Sequence, residues 1–471
     1  MTVLRRTATV PLTCFILSMP FLHALSPLPW LPLPLVVAMG IVLIAAGTLG
    51  WRSLVVVLPE DLLLIGCWLL GVLALGLHTG YFGSKNVTHS LAVLTSFGIF
   101  FIGLRNWMAR VGVDWHALGR AAAACALLLS IAVTCEFLLA NMVGLYFSDV
   151  IPFNVNEFQA TDTIFGLKRP RGFAAEPSFT AMVFDLLLPL AWIHVRRVRM
   201  VLRGAWLCGV LPGVLLLFSA GSIISLVAAV SIVAIVRTRR PLRSLVVLAV
   251  LAIAVAGLFQ IDGVGDAFDF VIGRKLDDLF ERGDVDVSNH LGRNEAYRAG
   301  FAIIASEPLG IGWGAVSQMF DTGVAVPGQA VLAGRGLLSL YLEFAACSGV
   351  LGLAMFLVFQ TVKISSVWRS GHPCSAYLLT GLLALSIHHA FVLEIWFPML
   401  WFSFALVDRL RMDEFASLAS VENPEAETRS KGFAPAAPAA PGGGAGGLEL
   451  MPPGMAKGRA IGATSATGGA S

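Results

Sequence analysis

Arg169-Pro170-Arg171-Gly172-Phe173-Ala174-Ala175-Glu176-Pro177-Ser178 is a polar stretch that leads directly into a long apolar run. Guanidinium forks bind phosphate oxygens two at a time. A carboxylate a few residues away can take a proton from a hydroxyl. Two such cations beside Glu176, at the mouth of an apolar run, point to a phosphorylated lipid met at a membrane face.

Further along, His290-Leu291-Gly292-Arg293, Arg298 and Arg335 add a second basic cluster. Pro308-Leu309-Gly310-Ile311-Gly312-Trp313-Gly314 is a glycine-rich turn, and no Gly-Lys-Ser/Thr follows it, so it is not a nucleotide loop. Polar groups also fall near the ends of apolar runs: Glu136, Glu176, Glu343, His388, His389 and Glu394, with Asp185 deeper. Ionisable groups inside such runs are costly, so they mark either function or a satisfied buried pair. Each of His388, His389 and Asp185 alone has the second reading available. Their shared depth with the glutamates argues for a set.

The elements that carry these residues follow from composition. Of 471 residues, 57% are hydrophobic and only 13% are charged, against about 25% charged in average soluble domains. Mean hydropathy is +0.81. Apolar runs long enough to span a bilayer recur, continuous rather than alternating, which selects an all-α polytopic membrane protein over a β-barrel. About twelve spans are expected, near 10–25, 33–50, 61–78, 89–104, 118–140, 177–194, 204–219, 222–236, 242–260, 337–362, 375–393 and 395–411. Ser219-Ala220-Gly221-Ser222 permits a tight hairpin between two of them.

Arg5, Arg6, Arg105, Arg110, Arg196, Arg197, Arg199, Arg203, Arg237, Arg239, Arg240, Arg243, Lys363 and Arg369 then fall on one side, expected to be cytoplasmic with both termini. Two long loops, 141–176 and 261–336, fall opposite and carry the arginines that run against this bias. Within the second, 267–282 reads as an amphipathic helix lying on the membrane or lidding a cleft. A further helix is expected from about Ser288 to Ser306, stopping before Pro308. Residues 1–411 form the membrane domain, and 412–471, ending Pro/Ala/Gly-rich, read as a disordered cytoplasmic tail. The net charge of +3 excludes little, and seven cysteines at no metal spacing suggest neither a disulfide framework nor a metal site.

Several of these motifs together resemble a known family. The stretch Arg169–Ser178 resembles bacterial polysaccharide polymerases of the Wzy type, and the Phe218–Ser222 hairpin resembles the wider O-antigen ligase and polymerase superfamily. His290–Arg293 followed by Glu307–Gly314 resembles that superfamily's large periplasmic loop, and Glu343 with Gly349-Val350-Leu351-Gly352 resembles the helix after it. Ligases of the superfamily usually carry a His-Asn type pair where this chain has Leu338-Ser339, which favours a polymerase, although His290 is a nearby substitute.

The resemblance implies a GT-C-like architecture in the inner membrane and transfer of a glycan from an undecaprenyl-diphosphate carrier to a lipid-linked repeat unit. No metal, nucleotide or other cofactor is implied; a flippase and a chain-length regulator are the implied partners. The rival functions are an O-antigen ligase and, more distantly, a polysaccharide or lipid transporter, which would hold its charges near the midplane. In the transfer reading Arg169, Arg171, Arg293, Arg298 and Arg335 are the diphosphate-binding candidates. Glu176 is the first candidate base and His290 the second, with Glu343, His388 and His389 as supporting polar groups. Glu-Pro-Ser is also ordinary first-turn chemistry for a helix, so Glu176 keeps two readings. Glu136 is expected to matter less than Glu176.

Overall fold

Apolar runs become helices wherever proline and glycine allow. The computed structural model describes residues 2–28, 31–78, 80, 83–153, 163–164, 166–237, 291–322, 337–393, 395 and 397–422. Helix α1 (Thr2–Ser18) stops short of the expected residue 25, because Pro20 has no N–H to continue the ladder. Residues beyond it run as turns and lie against the polar stretch. Then come α2 (Leu33–Leu49), α3 (Trp51–Leu54), α4 (Asp61–Leu77) and α5 (Ser84–Thr95). Helix α5 continues through wider π-type turns at Ser96–Leu104 into α6 (Arg105–Val111).

Helix α7 (Trp115–Met142) is followed by the short antiparallel pair β1 (Thr163–Ile164) and β2 (Leu167–Lys168). Next are α8 (Pro177–Val195), α9 (Met200–Leu216), α10 (Ala220–Arg237), α11 (Leu291–Ser306), α12 (Ala315–Thr322), α13 (Leu340–Arg369), α14 (Ser375–His388) and α15 (Pro398–Glu422).

The fold is all-α and polytopic in character. Every expected span except 242–260, which lies outside the described residues, falls on one of these helices. Among the described residues, five runs are long and apolar enough to cross a membrane: Ser84–Val111, α7, α8, α10 and α13. Large apolar side chains such as Leu43, Ile44, Leu73 and Leu128 point outward, as a hydrocarbon surround permits. Inside, α7 packs on α8 and α9, α14 packs on α8 and α10, and α4 lies along α13. The described residues fall almost wholly in one unit, Met1–Leu418. The amphipathic segment 267–282 and the tail after 422 lie outside the described residues.

Two expectations about charge need correction. The sequence places Arg105 and Lys363 just beyond the span ends at 104 and 362, among the cations of the cytoplasmic side. Both are fully buried within the bundle. Arg105 Nη1 donates to Asp61 Oδ1 and Oδ2, each at 2.8 Å, and Lys363 Nζ donates to Asp408 Oδ1 at 2.6 Å. A paired charge can sit inside where a lone one cannot, and a hydropathy window ends at any charge, paired or not.

The glycine-rich turn is an interior wedge. Helix α13 breaks at Gly349 (φ 73°), which frees carbonyls in its preceding turn. Ile311 and Gly312 N–H donate to the Ala346 and Cys347 carbonyls, both at 2.9 Å, and Val350 N–H donates to the Pro308 carbonyl at 3.0 Å. Trp313 is buried; its Nε1 donates to the Trp68 carbonyl of α4 at 3.0 Å, and Asn86 Nδ2 donates to the Trp313 carbonyl at 3.0 Å. Gly312 has φ 97°, and a Cβ there would lie 2.5 Å from Leu75 Cβ. The wedge thus locks α4, α5 and α13 together and fixes where the basic helix α11 ends.

Candidate active site

The polar stretch 169–178 is built onto the bundle by three anchors. The first is Glu136, near the end of α7 and 1% exposed. Its Oε2 accepts from Arg171 N–H at 2.8 Å and Gly172 N–H at 2.6 Å, and its Oε1 accepts from Phe147 N–H at 3.1 Å. A carboxylate gripping three backbone donors is a strong fastening. Glu136 therefore organises the loop, a role the sequence did not show.

The second anchor is His23, in the turns after α1. Its Nδ1 accepts from Ala175 N–H at 3.1 Å, while the Phe173 carbonyl accepts from His23 and Ala24 N–H at 3.2 and 3.1 Å. Burial drives the His23 pKa down to about 4, so the ring is neutral and able to accept.

The third anchor is Arg169. Its Nη2 donates to the Leu217 and Phe218 carbonyls at 2.9 and 3.2 Å. These are the orphan carbonyls at the end of α9, and a cation there complements the helix dipole. Arg171 is 8% exposed, with its guanidinium 5.2 Å above the Tyr146 ring. Glu176 occupies the N-cap position of α8 without a side-chain cap bond, and its Oε2 accepts from the Ser178 hydroxyl at 2.9 Å.

The end of α14 gathers the remaining candidates. His388 Nδ1 lies 2.6 Å from Asp185 Oδ2 of α8, and Asp185 Oδ1 accepts from the Ser222 hydroxyl of α10 at 2.6 Å. All three are buried. The Ala390 carbonyl accepts from the Tyr297 hydroxyl of α11 at 2.9 Å, which docks the basic helix onto this corner. The His389 carbonyl accepts from Leu340 N–H at 3.0 Å, so the start of α13 meets it too. His389 is itself buried. Glu343, in the first turn of α13, is 5% exposed, and its Oε1 accepts from the Cys347 thiol at 3.3 Å.

On α11, Arg298 is exposed and Arg293 lies in the first turn. His290, Arg335 and Glu394 lie outside the described residues. The structure thus brings Arg169 and His388 to the same α9–α10 hairpin, and α11 to the corner beside it. The signal for the Asp185–His388–Ser222 chain was present in the sequence as an acid and a histidine in apolar runs.

Residues 204–357 match the family model described as O-antigen ligase, a region running from α9 into α13. The match spans residues 204–357 of 471 and supports membership of the O-antigen ligase and polymerase superfamily. Enzymes of that family are glycosyltransferase-like, and their substrates are lipid-linked glycans. No curated protein matches the chain. The matched region holds the hairpin, the glycine wedge and α11; Arg169–Ser178, Asp185 and His388 lie outside it.

Proposed function

We propose that this protein polymerises undecaprenyl-diphosphate-linked oligosaccharide repeat units into exopolysaccharide, capsule or O-antigen. The reaction takes place at the periplasmic face of the bacterial inner membrane, with both termini cytoplasmic. The observation that carries this reading is the convergence on the α9–α10 hairpin. Arg169 clasps its carbonyls, His388 packs beside Gly221, and the α11 helix bearing Arg293 and Arg298 docks at the same corner through Tyr297.

The chemistry asks for cations that steady a departing diphosphate and a base for the acceptor hydroxyl. Arg298, Arg293 and Arg335 supply the cations from the large loop, with Arg169 and Arg171 ordering the facing stretch. Glu176 and His290 remain the loop candidates for proton transfer. The reaction needs neither metal nor nucleotide, since the diphosphate leaving group is already activated. A flippase delivers the substrate and a chain-length regulator sets its end point.

A ligase that moves finished glycan to a lipid or protein acceptor is the second reading, favoured by the description of the matched family as O-antigen ligase. The purified protein reconstituted with a lipid-linked repeat unit separates the two. A ladder of products in which carrier diphosphate is released supports polymerisation. Transfer only of a preformed block to a separate acceptor supports ligation, and no transfer to either acceptor refutes both.

A further inference from the structure

Buried polar atoms normally have partners, and one without needs a reason. His388 Nε2 is fully enclosed and has no hydrogen-bond partner among the described residues. Its other nitrogen is fully committed, 2.6 Å from Asp185 Oδ2, and Asp185 is held in turn by Ser222. A carboxylate at Nδ1 keeps the proton there and leaves Nε2 as a lone pair. That lone pair abuts Gly221, in the first turn of α10, where an added Cβ would come within 3.3 Å of Nε2. Glycine is a poor helix residue, and α10 carries it where alanine would touch the imidazole. Gly221 itself is partly exposed. Three residues earlier, Arg169 grips the Phe218 carbonyl.

We propose that His388 is the base that activates the acceptor hydroxyl, and that Asp185 positions it. This rests on the glycosyl-transfer reading above, and it moves the base from the loops to the bundle. The acceptor hydroxyl enters beside Gly221 and gives its proton to His388 Nε2. Its oxygen lone pair forms the new bond to the anomeric carbon of the donor. The bond from that carbon to the phosphate oxygen breaks, and its electron pair leaves with the carrier diphosphate. Asp185 stabilises the imidazolium as it forms, while Ser222 holds the carboxylate in line. A pair that merely pinned α8 to α14 would need neither the lone pair nor the glycine.

The test uses the full chain reconstituted with a polyprenyl-diphosphate-linked oligosaccharide as donor and acceptor. His388→Gln and Asp185→Asn are compared with the parent for transfer rate and donor KM. Asp185→Asn keeps an acceptor for Ser222 but no longer holds the Nδ1 proton as a carboxylate does. Both variants are expected to lose about 100-fold or more in kcat, with donor KM within about threefold and protein level held. Transfer at near-parent kcat by either variant overturns the proposal, as does a loss that appears only in KM. If neither variant accumulates, Gly221→Leu decides with His388 and Asp185 intact: lost transfer supports the proposal and retained transfer overturns it. Absence of transfer by the parent refutes instead the reading on which the proposal rests.

Discussion

Removing Asp408 should unfasten the buried charge network, and removing Lys363 with it should restore most of the loss. Six groups form the network: Glu60, Asp61 and Asp408 against Arg105, Lys363 and Arg411. Asp408 Oδ1 sits 2.6 Å from Lys363 Nζ and its Oδ2 3.5 Å from Arg105 Nη1. Arg411 Nη1 is 2.8 Å from Glu60 Oε1, and Lys363 Nζ is 3.5 Å from that same oxygen.

Asp408→Leu leaves Lys363, which is 0% exposed, with Glu60 at 3.5 Å as its nearest carboxylate. Stripping one partner from a buried pair costs about 3–5 kcal/mol, whereas replacing both with apolar groups is nearly neutral. Asp408→Leu with Lys363→Met should therefore cost no more than about 2 kcal/mol, short of the sum of the two singles by about 4 kcal/mol or more. Unfolding of the purified protein in detergent, read as a double-mutant cycle, measures it. Losses in the double variant equal to the sum of the singles would refute the reasoning. Lys363 lies about 35 Å along α13 from Leu340 at the helical rise, so transfer by the folded fraction should be unchanged.

Three further outcomes are expected. His23 has an ordinary pKa of 6.5 when unfolded and about 4 when folded. The unfolded chain binds the extra proton between those values, so stability is full above pH 6.5 and falls by roughly 3 kcal/mol as pH drops to about 4. His23→Gln should remove that slope from a series of melts, and an unchanged slope would contradict the assignment. Gly312→Ala should cost about 1–2 kcal/mol for the left-handed backbone and about 1–3 kcal/mol for the clash with Leu75. Gly47→Ala, with nothing within 4 Å of the added carbon, is its control, and equal melting of the two would refute the wedge. Arg298→Ala, at an exposed position, should leave melting within about 0.5 kcal/mol while raising donor KM about tenfold. An unchanged KM removes Arg298 from the diphosphate site.

Much of the bundle was legible because a hydrocarbon surround demands long apolar runs, and the α11 helix was legible from Pro308 at its end. The glycine turn was legible as a turn. Its depth was not, because the backbone it enters belongs to Leu75, Lys85 and Asn86, over 200 residues earlier. Arg105 and Lys363 looked like loop charges for the same reason: their partners, Asp61 and Asp408, lie 44 and 45 residues away.

Asp185 and His388 each appeared as an isolated polar group, separated by 203 positions. Only the packing of α8 on α14 turns them into a pair. From the sequence, Glu136 is expected to matter less than Glu176. The structure gives it two backbone donors from the very stretch that contains Glu176 and a third from Phe147, so its loss should disorder that stretch rather than leave it intact. The capping reading of Glu176 is half met: the residue stands at the cap position, but its carboxylate turns to Ser178 instead of the first-turn amides.

The central claim is glycosyl transfer from a lipid diphosphate at the corner formed by α8, the α9–α10 hairpin, α11 and α14. The most direct measurement is the size distribution of products made by the purified full chain from a single lipid-linked repeat unit, without added metal or nucleotide. A ladder that grows with time, with one carrier diphosphate released per added unit, is the predicted result. Unreacted substrate, with the protein folded and its melting normal, would contradict the account.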